Sequence, residues 1–172
     1  MADINTNTEF IFIVRCGEVA LKGMNKPYFE RMLLERIRKL LKKFDGIRAY
    51  RQEGLIFVRA EKVPEGAPAD EEAIRERKKS IIKEIGKVFG VASISPAMEC
   101  DSTMEAISET AVAYMLDTIE ERGTKTFKVE AKRADKNFPV KSPDISRQIG
   151  AAVLKGCKVL KVDVHNPEVR LF

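Results

Sequence analysis

The chain has 172 residues, of which 44% are hydrophobic and 33% charged, with a formal net charge of +5. This composition is typical of a soluble globular protein with one ordinary domain or two small ones, and it excludes disordered and membrane-spanning classes. No run approaches the roughly 20 apolar residues of a transmembrane helix. The polar start MADINTNTEF lacks a signal-peptide pattern, so we expect no membrane association and a cytoplasmic location.

The first sixty residues predict a β-α-β-β order. The run EFIFIVRC (9–16) is apolar and β-branched, as in a buried strand. A helix is expected from about Pro27 to the stop at Asp45–Gly46, because apolar residues recur at spacings of three and four. Two strands, 47–52 and 55–60, follow with a glycine-containing turn between them.

The domain boundary has two candidate positions. The segment VPEGAPAD (63–70) has the composition of a surface linker and favours an N-terminal domain over 1–68 and a second domain over 69–172. The next residues predict a helix (71–89) and a strand (91–98). If that strand pairs with the first three, residues 70–99 complete a ferredoxin-like sandwich instead.

The last third predicts two helices and three strands. Ser102 and Glu105 have capping-box spacing, which places a helix from there to about residue 122. An alternating strand (125–131) precedes a polar connection, and Ser142–Pro143 is typical of an N-cap with proline at the first helical position. Strands at 159–164 and 168–172 finish the chain, and the alternation stops at VRLF as if the last strand were truncated.

Signals for catalysis are weak. The lone histidine, His165, falls beside a predicted turn, where a surface role is favoured over a catalytic base. Cys16, Cys100 and Cys157 have no metal-ligand spacing, and we expect Cys157 in an exposed connection. Neither G-x-x-x-x-G-K-[ST] nor G-x-G-x-x-G occurs. We therefore predict no catalytic residue, metal site or cofactor in this chain.

The segment KRADKNFPVKS (132–142) is the strongest candidate for binding chemistry. Cations that neutralise phosphates, an aromatic ring and a helix N-terminus converge there, which suits a single-stranded RNA end. The predicted RNA-binding residues are Lys132, Arg133, Lys136, Phe138, Lys141, Ser142 and Arg147. The alternative is a solvated loop, and for Phe138 packing into the core is favoured over stacking.

A second basic surface is predicted in the first third. Its candidates are Lys39, Lys42 and Lys43 on the first helix, with Lys22 in the glycine-containing connection before it. A cationic face opposite an apolar stripe is more often only the solvated side of an amphipathic helix, and that alternative stays open.

Two stretches resemble a known family. VRCGEVALKGMNKPYFE, near the start, and FKVEAKRADKNFPVKSPDISRQIGAAVL followed by KVDVHNPEVRLF, near the end, are similar to the tRNA 4-thiouridine synthetase (tRNA sulfurtransferase) family. The resemblance implies an α+β fold: an N-terminal ferredoxin-like α/β sandwich followed by a THUMP domain with a mixed sheet and packed helices.

The resemblance also implies a function. Such a module grips the single-stranded 3′ end of the tRNA acceptor stem and presents uridine 8 to a catalytic domain that binds ATP through an S-G-G-x-D-S loop. That loop is absent here. The expected partners are therefore tRNA and a catalytic ATP-binding domain in the same or a separate chain, with ATP expected only there and a homo-oligomer possible.

Two rival functions remain. A regulatory or assembly module would bind a protein or small ligand and show no steep salt dependence with tRNA, because fold alone does not dictate function. A small hydrolase would use Arg15 to bind phosphate, but the first strand is followed by no phosphate-loop signature.

Overall fold

The protein folds into two compact α+β units, Met1–Met98 and Glu99–Phe172, as predicted for the fold class. The computed structural model describes residues 8–17, 26–52, 54–61 and 71–172. None of the helices in these ranges is long and apolar enough to cross a membrane.

The first unit is a four-stranded antiparallel sheet with two helices. Its elements are β1 (Thr8–Cys16), α1 (Lys26–Leu41), β2 (Ile47–Gln52), β3 (Leu55–Glu61), α2 (Glu71–Gly86) and β4 (Val91–Ala97). The sheet order is β2-β3-β1-β4, with every neighbouring pair antiparallel. This is the ferredoxin-like arrangement, in which the first strand is central.

The strand pairing corrects the boundary placed at residue 68. β4 pairs with β1, with Val14 opposite Ile94, so the segment after the linker closes the first sheet. The division between the units falls after Met98. Linker composition was misleading because a proline-rich connection can join two elements of one domain as well as two domains.

The core of the first unit follows from strand and helix periodicity. Val14 of β1 and Val58 of β3 point to the same face of the sheet and are 1% and 0% exposed. Ile37 of α1, with Ile81 and Ile85 of α2, is fully buried in the same cluster. Each such side chain contributes about 1.5–3 kcal/mol by leaving water.

An ion-pair cluster ties α2 to the segment after α1. Glu84 of α2 accepts from Lys43, which follows α1, and from Lys87 at the end of its own helix. Hydrogen bonds from these two ammonium groups hold the pKa of Glu84 at about 2, well below its usual 4.5.

The second unit is a three-stranded parallel sheet with two helices. Its elements are α3 (Met104–Arg122), β5 (Thr126–Val129), α4 (Ser142–Gly156), β6 (Lys161–Val162) and β7 (Val169–Leu171). The sheet order is β6-β5-β7, and β5 is parallel to both neighbours. The strands are shorter than the alternating patterns predicted. Parallel neighbours require a crossover, which α4 supplies between β5 and β6.

The start of α3 differs by one residue from the predicted capping box. Thr103, not Ser102, is the N-cap, and its hydroxyl accepts from the backbone N–H of Ala106 at 3.1 Å. Both hydroxyls precede the helix, and Thr103 caps it because it directly precedes the first helical residue, Met104. Gly123 ends the helix with φ 64, a left-handed conformation that favours glycine.

The core of the second unit forms where α3 and α4 pack on β5. Met115, Phe127 and Val153 are fully buried there. Cys157 is also buried, at 2% exposure, so its predicted exposure is wrong. Burial raises the pKa of its thiol, which makes this cysteine a packing residue instead of a nucleophile.

Gly156 is required by the contact between α4 and α3. A Cβ at this position would lie 2.6 Å from Val112 Cγ1, whereas a Cβ at Gly150 would meet Val129 Cγ2 at 4.0 Å. We expect Gly156→Ala to lower the free energy of unfolding by about 1–3 kcal/mol through overpacking. Gly150→Ala, the matched control, should be neutral or stabilising by up to about 1 kcal/mol. Urea unfolding of both variants measures the difference, and equal effects would contradict this account of the helix contact.

The Glu84 cluster predicts a pH dependence. Because its folded pKa is depressed, Glu84 stabilises the fold above pH 4.5, and this contribution is lost as pH falls toward about 2. Glu84→Gln should therefore flatten the decline in unfolding free energy within that window. High salt should have a similar effect on the wild type, since the pairs lie at the surface. An unchanged acid slope in Glu84→Gln would contradict the assignment.

Candidate nucleic-acid interface

The loop between β5 and α4 (residues 130–141) is held in shape by its own side chains. Arg133 donates from Nη1 to the carbonyl oxygens of Phe138 at 2.7 Å and Val140 at 3.3 Å. The N–H of Ala131 donates to Ser146 Oγ at 2.9 Å, which ties the loop start to α4. Ser146 was not singled out from the sequence, because its role depends on a partner fifteen residues away. The loop therefore presents its remaining side chains on a defined backbone.

A local turn and an apolar contact complete the loop. Asp135 Oδ1 accepts from the N–H of Asn137 at 2.8 Å, an Asx turn. Phe138 is half-buried and packs, like Val140, against the second unit's core. Phe138 therefore packs against the core, which was the favoured interpretation from the sequence. A ring packed in this way exposes little of its surface for stacking on a base.

Three lysines project from this fixed loop. Lys132, Lys136 and Lys141 have no carboxylate partner within the described ranges, and all three are exposed. Lys141 is the N-cap of α4, and its side chain makes no cap hydrogen bond. Ser142 is thus the first helical residue and not the predicted N-cap. Pro143 has no N–H, and the N–H groups of Asp144 and Ile145 donate to the carbonyl of Lys141, so the N–H of Ser142 is the one left for an anion among the first four helical residues.

Arg147 lies one turn into α4 and is paired with Asp144. Its Nη2 is 2.8 Å from Asp144 Oδ1, and its side chain is 77% exposed. An exposed pair of this kind contributes at most about 1 kcal/mol, so a phosphate can compete for the guanidinium. The carboxylate of Asp144 also lowers the positive potential at the helix start.

The second predicted basic surface is only partly engaged in internal ion pairs. Lys43 pairs with Glu84, and Arg51 is 2.8 Å from the buried Glu30. Lys39 and Lys42 have no carboxylate partner among the residues described. The neighbouring arginines also have acidic partners: Arg38 with Glu35 and Arg48 with Glu61. Lys22 lies outside the described residues.

The other candidate chemical groups are separate from the loop. Arg15, the phosphate ligand of the hydrolase alternative, donates to Ser95 Oγ of β4 at 2.9 Å. His165 is exposed in a turn, where its N–H donates to Asp163. In the ranges that the structure covers, no group of three His, Cys, Asp or Glu residues could hold a metal ion.

Two family models match the chain, one for each unit. Residues 11–95 match the ThiI ferredoxin-like domain, and residues 101–172 match the THUMP domain. The match boundaries agree with the division after Met98.

Curated relatives cover nearly the whole chain but extend well beyond it. A probable tRNA sulfurtransferase of Alkaliphilus metalliredigens is 42% identical over 95% of this chain, and one of Acetivibrio thermocellus is 39% identical over 94%. In both cases, the chain spans only 38% of the relative's length.

Two solved structures are similar to this chain. A 4-thiouridine synthetase, crystallised as an RNA complex with bound ATP, has a TM-score of 0.66 and 28% identity, covering 93% of this chain and 37% of that one. A protein of Pyrococcus horikoshii Ot3 has a TM-score of 0.69 and 27% identity, covering 95% of this chain and 51% of that one. The chain belongs to the tRNA sulfurtransferase (4-thiouridine synthetase) family, of which it comprises the ferredoxin-like and THUMP domains.

Proposed function

We propose that this chain is a tRNA-binding module. It grips the single-stranded 3′ end of the acceptor stem at the loop before α4 and presents uridine 8 for 4-thiouridine formation. The catalytic step belongs to an ATP-binding domain outside this chain, in the same or a separate polypeptide, and the assembly works in the cytoplasm.

The observation that carries the proposal is the set of three lysines without carboxylate partners on a loop of defined shape. Lys132, Lys136 and Lys141 project from a backbone that Arg133 and Ser146 hold in place. A loop backbone that is already held in shape loses less entropy when its lysines meet phosphates, and phosphate contacts supply most of the affinity of nucleic-acid binding.

The choice of a single-stranded end rests on the helix start and the family. The N–H of Ser142 at the start of α4 can donate to one phosphate, whereas a long duplex would need a broader basic surface. Relatives named tRNA sulfurtransferase and a 4-thiouridine synthetase crystallised with RNA support tRNA as the ligand.

The loop lysines can be tested against matched lysines elsewhere on the second unit. We compare Lys132/Lys136/Lys141→Ala with Lys155/Lys158/Lys161→Ala, which removes the same charge at the other end of α4, about 20 Å away. The salt dependence of tRNA affinity should become shallower by about 2 in log–log slope for the loop variant, at about 0.7 per single-strand phosphate contact. The control should change far less.

Trimming the tRNA 3′ end provides the second arm. Trimming should weaken binding of the wild type and of the control, but should add little to the loop variant, since both changes remove the same contacts. If the two lysine variants lose the same tRNA affinity and trimming has no effect, the binding is nonspecific electrostatic attraction. That result would contradict the assignment of the site to the loop. If the affinity of the wild type for tRNA does not fall steeply as the salt concentration rises, the protein-binding or small-ligand alternative is favoured.

Arg133 should act through loop shape and not as a phosphate ligand. We expect Arg133→Ala and Arg133→Lys to weaken tRNA binding similarly, because the shorter lysine side chain does not bring its ammonium to the position of Nη1, which donates to both carbonyls. Hydrogen exchange of the amides near Phe138 should accelerate in both variants. If Arg133→Lys retains wild-type affinity and protection, the guanidinium serves as a simple point charge instead.

A further inference from the structure

Three exposed aromatic side chains lie in the first unit, remote in sequence from the lysine loop. Phe89, between α2 and β4, is 88% exposed, and Tyr28 and Phe29 in the first turn of α1 are 54% and 41% exposed. The rings of Tyr28 and Phe29 meet edge to face with centroids 5.8 Å apart. Grouped exposed aromatic rings mark a surface that binds something, since their burial in a complex releases water.

Backbone contacts place these rings at the same end of the unit. The N–H of Gly17, just after β1, donates to the carbonyl of Gly90 at 3.0 Å, which fixes the segment carrying Phe89 beside the end of β1. Leu33 Cδ1 of α1 is 3.8 Å from the position that a Cβ on Gly90 would take. Leu33 is one turn beyond Phe29 on α1. Phe89 and the first turn of α1 therefore flank one end of the sheet.

Cations without a described carboxylate partner lie on α1, which carries two of the rings, and on α2, which precedes the third. Arg31 on α1 and Lys83 on α2 have no carboxylate partner in the part of the chain that the structure describes. Two carboxylates on the same helices are neutralised: Glu30 is buried against Arg51, and Glu84 accepts from two lysines.

We propose that this aromatic end, formed by Tyr28, Phe29 and Phe89 with Arg31 and Lys83, is a second RNA contact that stacks on unpaired bases. Aromatic faces beside free cations are the combination by which proteins bind single-stranded nucleic acid, because rings stack on bases while cations meet phosphates. Aromatic rings also occur in protein interfaces, but cations without a described carboxylate partner on the same helices favour a polyanion as the partner. The inference rests on the proposed function, in that the same tRNA supplies the bases.

Phe89→Trp provides a direct probe of stacking. The chain has no tryptophan, so the new residue is the sole indole emitter. Titration with tRNA, and with an oligouridylate of about 8 nucleotides, should quench and saturate its fluorescence if bases stack there. Ala73→Trp, near the opposite end of α2 and about 20 Å away, is the control and should be quenched far less.

Affinity measurements on ring-deleting variants provide the decisive comparison. Tyr28→Leu/Phe89→Leu keeps apolar area but removes two rings, and should bind tRNA about 5- to 100-fold more weakly. Tyr28→Phe/Phe89→Tyr keeps both rings and should bind close to wild type. Thermal unfolding midpoints check that each variant is folded.

The outcomes distinguish a failure of this inference from a failure of the proposed tRNA-binding function. Normal tRNA binding by the leucine variant, together with unquenched indole fluorescence in Phe89→Trp, overturns the aromatic end and leaves the lysine loop intact. Failure of the wild-type chain to bind tRNA at all overturns both.

Discussion

The guanidinium of Arg133 is the group on which the arrangement of the candidate site depends. A polar loop between a strand and a helix has backbone carbonyls that require partners, and Arg133 satisfies two of them from within the loop. With those carbonyls occupied, the chain turns back toward α4, and Phe138 reaches the core. The loop lysines extend from this held backbone and lack carboxylate partners among the residues described. A cation that holds the loop in shape thus leaves its neighbours available for binding.

The two units use their charges in different ways. In the first unit, Arg38 pairs with Glu35 within α1, Arg48 of β2 with Glu61 of β3, and Arg51 of β2 with Glu30 of α1. In the second, the loop lysines have no such partners in the described part of the chain. The net charge of +5 therefore does not indicate which surface has cations available to an RNA backbone. Position and pairing, more than total charge, decide which surface attracts phosphate.

The aromatic end and the lysine loop offer complementary chemistry. Lysines contribute affinity that salt weakens, whereas stacking on aromatic rings is nearly independent of salt. A module with both contacts would hold an RNA by phosphates at one point and by bases at another. Each linked contact raises overall affinity beyond either alone when the RNA spans both.

The sequence by itself determined the element order, the periodic core positions, the family and the location of the basic loop, since these depend on local patterns and motifs. Tertiary structure alone decided that β4 closes the first sheet, that Cys157 is buried and that Thr103 caps α3. It also decided the division of roles within the loop, where Arg133 became a structural donor and Ser146 its anchor. These outcomes depend on contacts between residues distant in sequence or on backbone geometry at single positions. Local sequence patterns do not determine such contacts or such geometry.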